Sequence, residues 1–284
     1  VNGVKVLFEE KDEKNIAANA VVVTTGGYGA NMDMISSVRP DLKGLVTTNQ
    51  IGSTGDGITM IEKLGGVTVD MDQIQVHPTV QQEKSYLIGE AVRGEGAILV
   101  DKDGKRFTNE LDTRDNVTAA INKLSDKAAY LVFDSGVKSR AKAIQQYDKM
   151  GFVIQGETVE DLAKVMSVPV DQLKETLDTW NGAVKNKKDA EFGRTTGMDN
   201  ELSAGPFYAI KIAPGIHYTM GGVKVNTNTE VVTKDGKAIT GLYAAGEVIG
   251  GLHGENRIGG NSVADIIIFG RQAGIKSAEF VKAQ

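Results

Sequence analysis

Glycine in this chain gathers where apolar strands end and helices begin, and that placement limits the fold more than any other feature. The apolar run 20–23 feeds directly into Thr24-Thr25-Gly26-Gly27-Tyr28-Gly29. A second cluster, Ser53-Thr54-Gly55-Asp56-Gly57, precedes a predicted helix over 58–64, which Gly65-Gly66 stops. A third, Gly259-Gly260-Asn261, opens a predicted helix over 261–282. Clustered glycines mark backbone that must turn sharply or let a ligand come close. A strand that runs into a glycine turn is the usual edge of a nucleotide site in open α/β sheets.

Bulk properties exclude several classes. A length of 284 residues allows one large domain or two smaller ones, and 40% hydrophobic residues suffice for a core. The net charge of -5, with no run of lysine or arginine, argues against a nucleic-acid partner. No apolar stretch approaches about twenty residues, so no membrane insertion is expected. Residues 1–10 alternate like a strand and carry no signal-peptide pattern. The lack of cysteine removes disulfides, thiolate metal sites and c-type haem attachment.

Periodicity predicts a strand over 4–8, a turn over 11–15 and a buried strand over 20–23. From about Val67 the texture becomes more charged and richer in helices. A hairpin turn falls at Asp103-Gly104, a helix at 116–124, a strand at 128–133 and one helix over 138–150. Thr158 caps a further helix, with Asp161 at the capping-box spacing. The helix over 170–188 carries the only tryptophan, Trp180. After Gly205-Pro206 strands return, over 207–212 and around a hairpin at Asp235-Gly236. The expected architecture is α/β (α+β): residues 1–71 and 206–284 form one domain, interrupted by an inserted lobe over 72–205.

Of the three histidines, His217 and His253 sit in small, polar, glycine-rich surroundings, and His77 opens His77-Pro78-Thr79. Imidazole is the side chain most easily tuned for proton transfer or for holding an anion near neutral pH; its bland role is to cap a loop or bond a carbonyl. Glu90 and Arg93 stand three apart between the apolar segments Leu87-Ile88 and 97–100, where charges are expected to be partly buried and paired. Arg114 lies in a turn before a helix, and Arg257 lies between His253 and Gly259. A guanidinium fork matches a carboxylate, so Arg257, Arg114, His77 and His217 together are suited to a small dicarboxylate. Glu247, at a strand end, is suited to a ribose or ribityl hydroxyl. The histidines lack close ligand spacing, and no metal is expected.

These residues make the chain similar to the fumarate reductase/succinate dehydrogenase flavoprotein family, and specifically to the C-terminal part of its soluble flavocytochrome c type. The motifs run in order over the whole length: Thr24-Thr25-Gly26-Gly27, Gly55-Asp56-Gly57, His77-Pro78-Thr79, Glu90-Ala91-Val92-Arg93-Gly94, Thr113-Arg114-Asp115, His217-Tyr218-Thr219-Met220-Gly221-Gly222, Gly246-Glu247 and Asn256-Arg257-Ile258-Gly259-Gly260-Asn261. The resemblance implies an FAD-binding Rossmann-like domain with a substrate-capping lobe, and an enzyme of periplasmic electron transport in anaerobic respiration that reduces fumarate to succinate. It implies FAD contacts at Thr25, Gly26, Gly27, Gly55, Asp56, Gly246, Glu247, Gly260, Asn261 and Ser262. It also implies carboxylate binding by His77, His217 and Arg257, with Gly89 in the same pocket. Hydride would pass from flavin N5 to one alkene carbon. Arg114 would protonate the other, fed through Glu90 and Arg93. A free guanidinium is a very weak acid, so the alternative role of Arg114 is an electrostatic clamp with water as the donor.

Three departures qualify the match. Gly89 stands where the family pattern has a threonine, and Tyr218 replaces a second histidine. No Gly-x-Gly-x-x-Gly follows the first strand, where the ADP half of FAD would sit. The chain is therefore expected to need a missing N-terminal FAD-binding segment or domain. The other expected partner is an electron-donor cytochrome, with haem only on another segment or chain. The alternatives are a reductase of another unsaturated acid, of the urocanate or acrylate type, and a non-catalytic fragment lacking flavin.

Overall fold

A computed structural model describes residues 1–9 and 12–284. It divides into two compact units, Val1–Gln75 with Ile216–Gln284, and Val76–Gly215.

The first unit begins with an antiparallel hairpin of β1 (Gly3–Phe8) and β2 (Asp12–Ala17). Residues 12–15, expected as a turn, are therefore strand. Val4 faces Ile16 and Val6 faces Lys14 across the ladder, and Lys5 pairs with Glu13 at 2.8 Å. Glu9 has a φ of 47°; Lys11, the first residue of the expected turn, lies outside the described residues. β3 (Val21–Val23) runs parallel to β13 (Ala238–Ala244), whose other neighbour is the antiparallel β12 (Glu230–Val232). β3 is thus an edge strand with Val22 exposed, not the buried strand its apolar run predicts. Asn31 caps α1 (Met32–Val38), α2 (Asp56–Lys63) follows Gly55, and β4 (Thr68–Val69) pairs with β11 (Gly222–Val223). The last and longest helix, α9 (Asn261–Lys282), buries Ala273 in a cluster with Tyr243 and Ala245.

The second unit holds most of a six-stranded sheet in the order β6 (Tyr86–Leu87), β5 (Ile74–Gln81), β10 (Phe207–Thr219), β8 (Ala129–Asp134), β7 (Ile98–Val100), with β9 (Ile154–Gly156) also on β10. Its helices are α3 (Ala91–Gly94), α4 (Arg114–Asn122), α5 (Ser135–Arg140), α6 (Ile144–Lys149), α7 (Val159–Met166) and α8 (Val170–Asn186). Trp180 of α8 is fully buried in a core with Phe133, Leu131 and Ile210 of the sheet. Thr158 caps α7 as its spacing predicts, accepting from the Asp161 N–H at 3.2 Å.

The single helix expected over 138–150 is two helices, α5 and α6, broken at Ala141. Asp134 caps α5 by accepting from the Val137 N–H at 2.9 Å. The break then lets Val137, Ala141, Ile144 and Tyr147 all face one core. The chain passes between units inside β5 and β10, later in each case than the joins expected at 71/72 and 205/206. Continuous strand sequence gives no change of texture there. No helix among the described residues is long and apolar enough to cross a membrane.

Candidate functional site

In the first unit, the parallel strands β3 and β13 end side by side, and the Ala245 N–H donates to the Val23 carbonyl at 3.1 Å. They deliver Thr24–Gly27 and Ala245–Glu247 to the same sheet edge. A cleft of about 370 Å³ opens there, lined by Thr24, Gly26, Ala245, Gly246, Glu247, Ile266 and Gly270. Gly26 and Gly246 both take left-handed backbone, with φ 78° and 79°. No atom lies within 4 Å of where a Cβ on Gly26 would stand, so that wall is open.

The neighbouring glycines have packing reasons. A Cβ on Gly27 would lie 2.0 Å from Thr219 Oγ1 and 2.8 Å from Glu247 Oε1. Gly55, with φ 79°, opens α2 against Tyr28 and Met34, and Gly57 leaves room for Thr25. Asp56 is exposed at the first residue of α2. At the far end of the chain, Gly260 precedes α9 with φ 86° and no side-chain cap. Gly260 and Asn261 are exposed and Ser262 half-buried. An uncapped helix start offers free N–H groups and partial positive charge.

Glu247 turns inward rather than presenting both oxygens to solvent. Its Oε1 accepts from the Thr219 N–H at 2.9 Å and the Thr219 hydroxyl at 3.1 Å. Burial raises its pKa above the ordinary carboxyl range, against the opposing effects of Thr219 and Arg257. His217, two residues earlier on β10, has Nδ1 2.8 Å from the Thr48 hydroxyl. The segment carrying Thr48 is itself tied to β10, because the Thr48 N–H donates to the Ile216 carbonyl at 2.9 Å. Arg257 is buried, with its guanidinium 4.2 Å from the centre of the Tyr218 ring. Its carbonyl accepts from Gln75 Nε2 at 2.8 Å. This unit thus brings His217, Glu247 and Arg257 onto three consecutive residues of β10, through Thr219 and Tyr218.

The second unit holds the other candidates. His77 is buried in β5, with Nδ1 3.3 Å from both the N–H and the hydroxyl of Thr79. Arg114 is the first residue of α4, and its Nε donates to Glu90 Oε1 at 2.7 Å. The same oxygen lies 3.9 Å from Arg93 Nη2. Glu90, whose side chain is itself partly exposed, therefore stands between two buried guanidinium groups; the three-residue spacing points to Arg93 alone, and nothing in it points to Arg114. Burial lowers the Arg93 pKa to about 10; Glu90 opposes this and Arg114 adds to it. The Gly89 N–H donates to the Tyr147 hydroxyl at 3.0 Å.

Behind Arg93 lies a buried charge cluster that no sequence motif marks. Glu110 is fully buried and accepts from Arg106 at 2.8 and 2.9 Å and from Arg194 at 3.0 Å. Arg106 also donates to Asp189 at 3.0 Å, and Trp180 lies 4.6 Å from both Arg106 and Arg194. Arg93 joins the cluster by donating to the Glu110 carbonyl at 2.6 Å, and Arg194 donates to the Arg93 carbonyl at 2.6 Å. Only the four-residue spacing of Arg106 and Glu110 hints at it.

Residues 1–263 match the family described as FAD binding domain. The chain belongs to this family. It is 50% identical over 279 residues to an NADH:fumarate oxidoreductase of Klebsiella pneumoniae (strain 342), which spans 98% of this chain and 30% of that protein. It is 42% identical over 282 residues to a fumarate reductase (cytochrome) of Shewanella frigidimarina, covering 99% of this chain and 49% of that protein. The open conformation of a flavocytochrome c3 fumarate reductase superposes with a TM-score of 0.80 at 44% identity, over 99% of this chain and 50% of that one. The chain thus spans half or less of the length of these relatives. The expected family, α/β fold and cofactor class stand. The residues also fit part of an FAD physically: Gly26 and Gly246 leave the cleft unobstructed, and the uncapped start of α9 suits an electron-rich group.

Proposed function

We propose that this chain carries the substrate-reducing machinery of an FAD-dependent fumarate reductase. The single observation that carries the reading is the Arg93–Glu90–Arg114 array, with its 2.7 Å Glu90–Arg114 contact. Burying the Arg93 and Arg114 guanidinium groups costs stability, and a proton path that reaches solvent at the partly exposed Glu90 carboxylate accounts for their presence. When bound, FAD supplies the hydride that reaches one alkene carbon. Arg114 gives a proton to the other carbon, and Glu90 returns one to Arg114 from the side of Arg93. A guanidinium serves as the acid here because the acceptor is strongly basic and the proton is replaced at once. His77, His217 and Arg257 are the proposed carboxylate ligands. Thr25, Gly26, Gly27, Gly55, Asp56, Gly246, Glu247, Gly260, Asn261 and Ser262 are the proposed cofactor contacts.

The finer partners are also proposals. The ADP half of the cofactor is assigned to a dinucleotide-binding segment outside these residues. The open apolar side of α9, where Val263, Ile266, Ile267 and Ile268 are each more than half exposed, supports such a neighbour. A cytochrome donor and a periplasmic setting are proposed from the named cytochrome-type relative. Gly89 favours one second reading, a reductase of a different unsaturated acid, since it places no side-chain hydroxyl at that position. Oxidation of a reduced dye by the FAD-loaded protein, with fumarate, urocanate and methacrylate in parallel, separates the two. Fumarate is the expected substrate; inert fumarate alongside turnover of another acid would overturn the first reading.

A further inference from the structure

His253, the one histidine with no role in the mechanism above, is half-buried and belongs to a trio with the buried Tyr218 and Asp265. Its Nε2 lies 3.3 Å from Asp265 Oδ2, and the Tyr218 hydroxyl lies 3.4 Å from both atoms. The Tyr218 and His253 rings meet edge to face, with centres 5.5 Å apart and planes at 79°. On the Tyr218 ring sits the Arg257 guanidinium, at 4.2 Å. The trio ties together the end of β10, the loop before α9, and the second turn of α9. We propose that Asp265, acting through His253 and Tyr218, positions Arg257 and thereby sets how tightly a substrate carboxylate is held. This rests on the reading of Arg257 as a carboxylate ligand.

The need for such a device follows from the loop. Residues 250–260 include five glycines, of which Gly251, Gly254 and Gly260 take φ of 83°, 61° and 86°. Backbone of that kind does not fix a long side chain by itself. The Arg257 guanidinium bonds its own loop through Nη1 to the Ile258 carbonyl at 3.2 Å, and contacts from outside the loop add to this. Gln75 Nε2 holds the Arg257 carbonyl at 2.8 Å and the Asn256 side chain at 3.0 Å. The Tyr218 face holds its guanidinium, an attraction strengthened by burial. Tyr218 can do this only if its own ring is held, and Asp265 accepts from its hydroxyl. Burial, Glu247 and Asp265 all raise the Tyr218 pKa, so the phenol stays neutral and keeps its donor proton.

Asp265 is costly as a purely structural residue. It is 3% exposed, and its Oδ1 has no hydrogen-bond partner among the described residues. A buried carboxylate with long contacts to one oxygen is poor packing for stability. An aspartate that orients a tyrosine and a histidine, and adds negative potential beside a substrate-binding arginine, accounts for it.

The test is a double-mutant cycle in the FAD-loaded, full-length protein, reading KM, kcat and the Kd for fumarate from flavin absorbance. Asp265→Asn keeps the shape and is expected to raise KM and Kd about tenfold, with a smaller fall in kcat. In an Arg257→Met background, Asp265→Asn is expected to add little, because its effect passes through Arg257. Tyr218→Phe, which keeps the ring but drops the hydroxyl, is expected to raise Kd in the same direction and stands in if Asp265→Asn does not fold. If Arg257→Met weakens binding while Asp265→Asn and Tyr218→Phe do not, or if the Asp265→Asn and Arg257→Met losses simply add, the positioning role is wrong. If Arg257→Met itself leaves Kd unchanged, the carboxylate-ligand reading is what fails.

Discussion

Glu110 receives hydrogen bonds from Arg106 and Arg194 without contact with water. Removing one partner from such a set leaves uncompensated buried charge, so Glu110→Ala is expected to lose about 3–5 kcal/mol of stability in urea unfolding; a loss under about 1 kcal/mol would contradict the pairing. Glu247 shows the opposite economy. Burial raises its pKa, so in the folded state its ionised form is the unfavourable one. Its contribution to stability is therefore greatest below the ordinary glutamate pKa and is lost as pH rises through the raised value. Glu247→Gln, whose amide oxygen can still accept from Thr219, is expected to stabilise the FAD-free protein at neutral pH and to lose that advantage below about pH 4. Equal effects at both pH values would contradict it. At this scale the sequence is informative where partners are close along the chain. Glu90 and Arg93 are legible because they stand three apart, at and just after the start of one short helix, between apolar segments. Asp189 and Arg194 reach Arg106 and Glu110 from more than eighty residues away, and no spacing rule connects them.

The strand-to-turn element at 21–29 distinguishes two adjacent glycines. Gly26 pays only for left-handed backbone, whereas a side chain on Gly27 collides with the bonded Thr219–Glu247 pair. Gly26→Ala is expected to cost about 1–2 kcal/mol and to narrow the cleft without disturbing the fold. Gly27→Ala is expected to cost more. Thermal unfolding of the two variants without FAD decides this, and a smaller loss at Gly27 would contradict the packing. The glycine clusters themselves are readable, because strand ends and helix starts each demand them. The break between α5 and α6 is not. Ala141-Lys142-Ala143 are good helix formers, and the helix ends there because burial of Val137 and Tyr147 in one core outweighs local preference. β2 is missed for a related reason: its polar, exposed sequence looks like a turn, and only pairing with β1 makes it a strand.

Over the whole molecule, the sequence changes texture near Val67 and again after Pro206, while the two compact units are divided inside β5 and β10, where continuous strand sequence gives no mark. Arg114 and Glu90 lie in the inserted unit, and the cleft with Gly26 and Gly246 lies in the other. A division of labour is proposed from this, with proton delivery in one and cofactor contact in the other. The measurement that tests it most directly is kcat for fumarate in an FAD-loaded Arg114→Ala variant, read with FAD content and KM. A fall in kcat of about 10²–10⁴-fold, with FAD content unchanged and KM altered far less, is the result predicted. Turnover close to that of the unaltered protein would show that the proton comes from elsewhere.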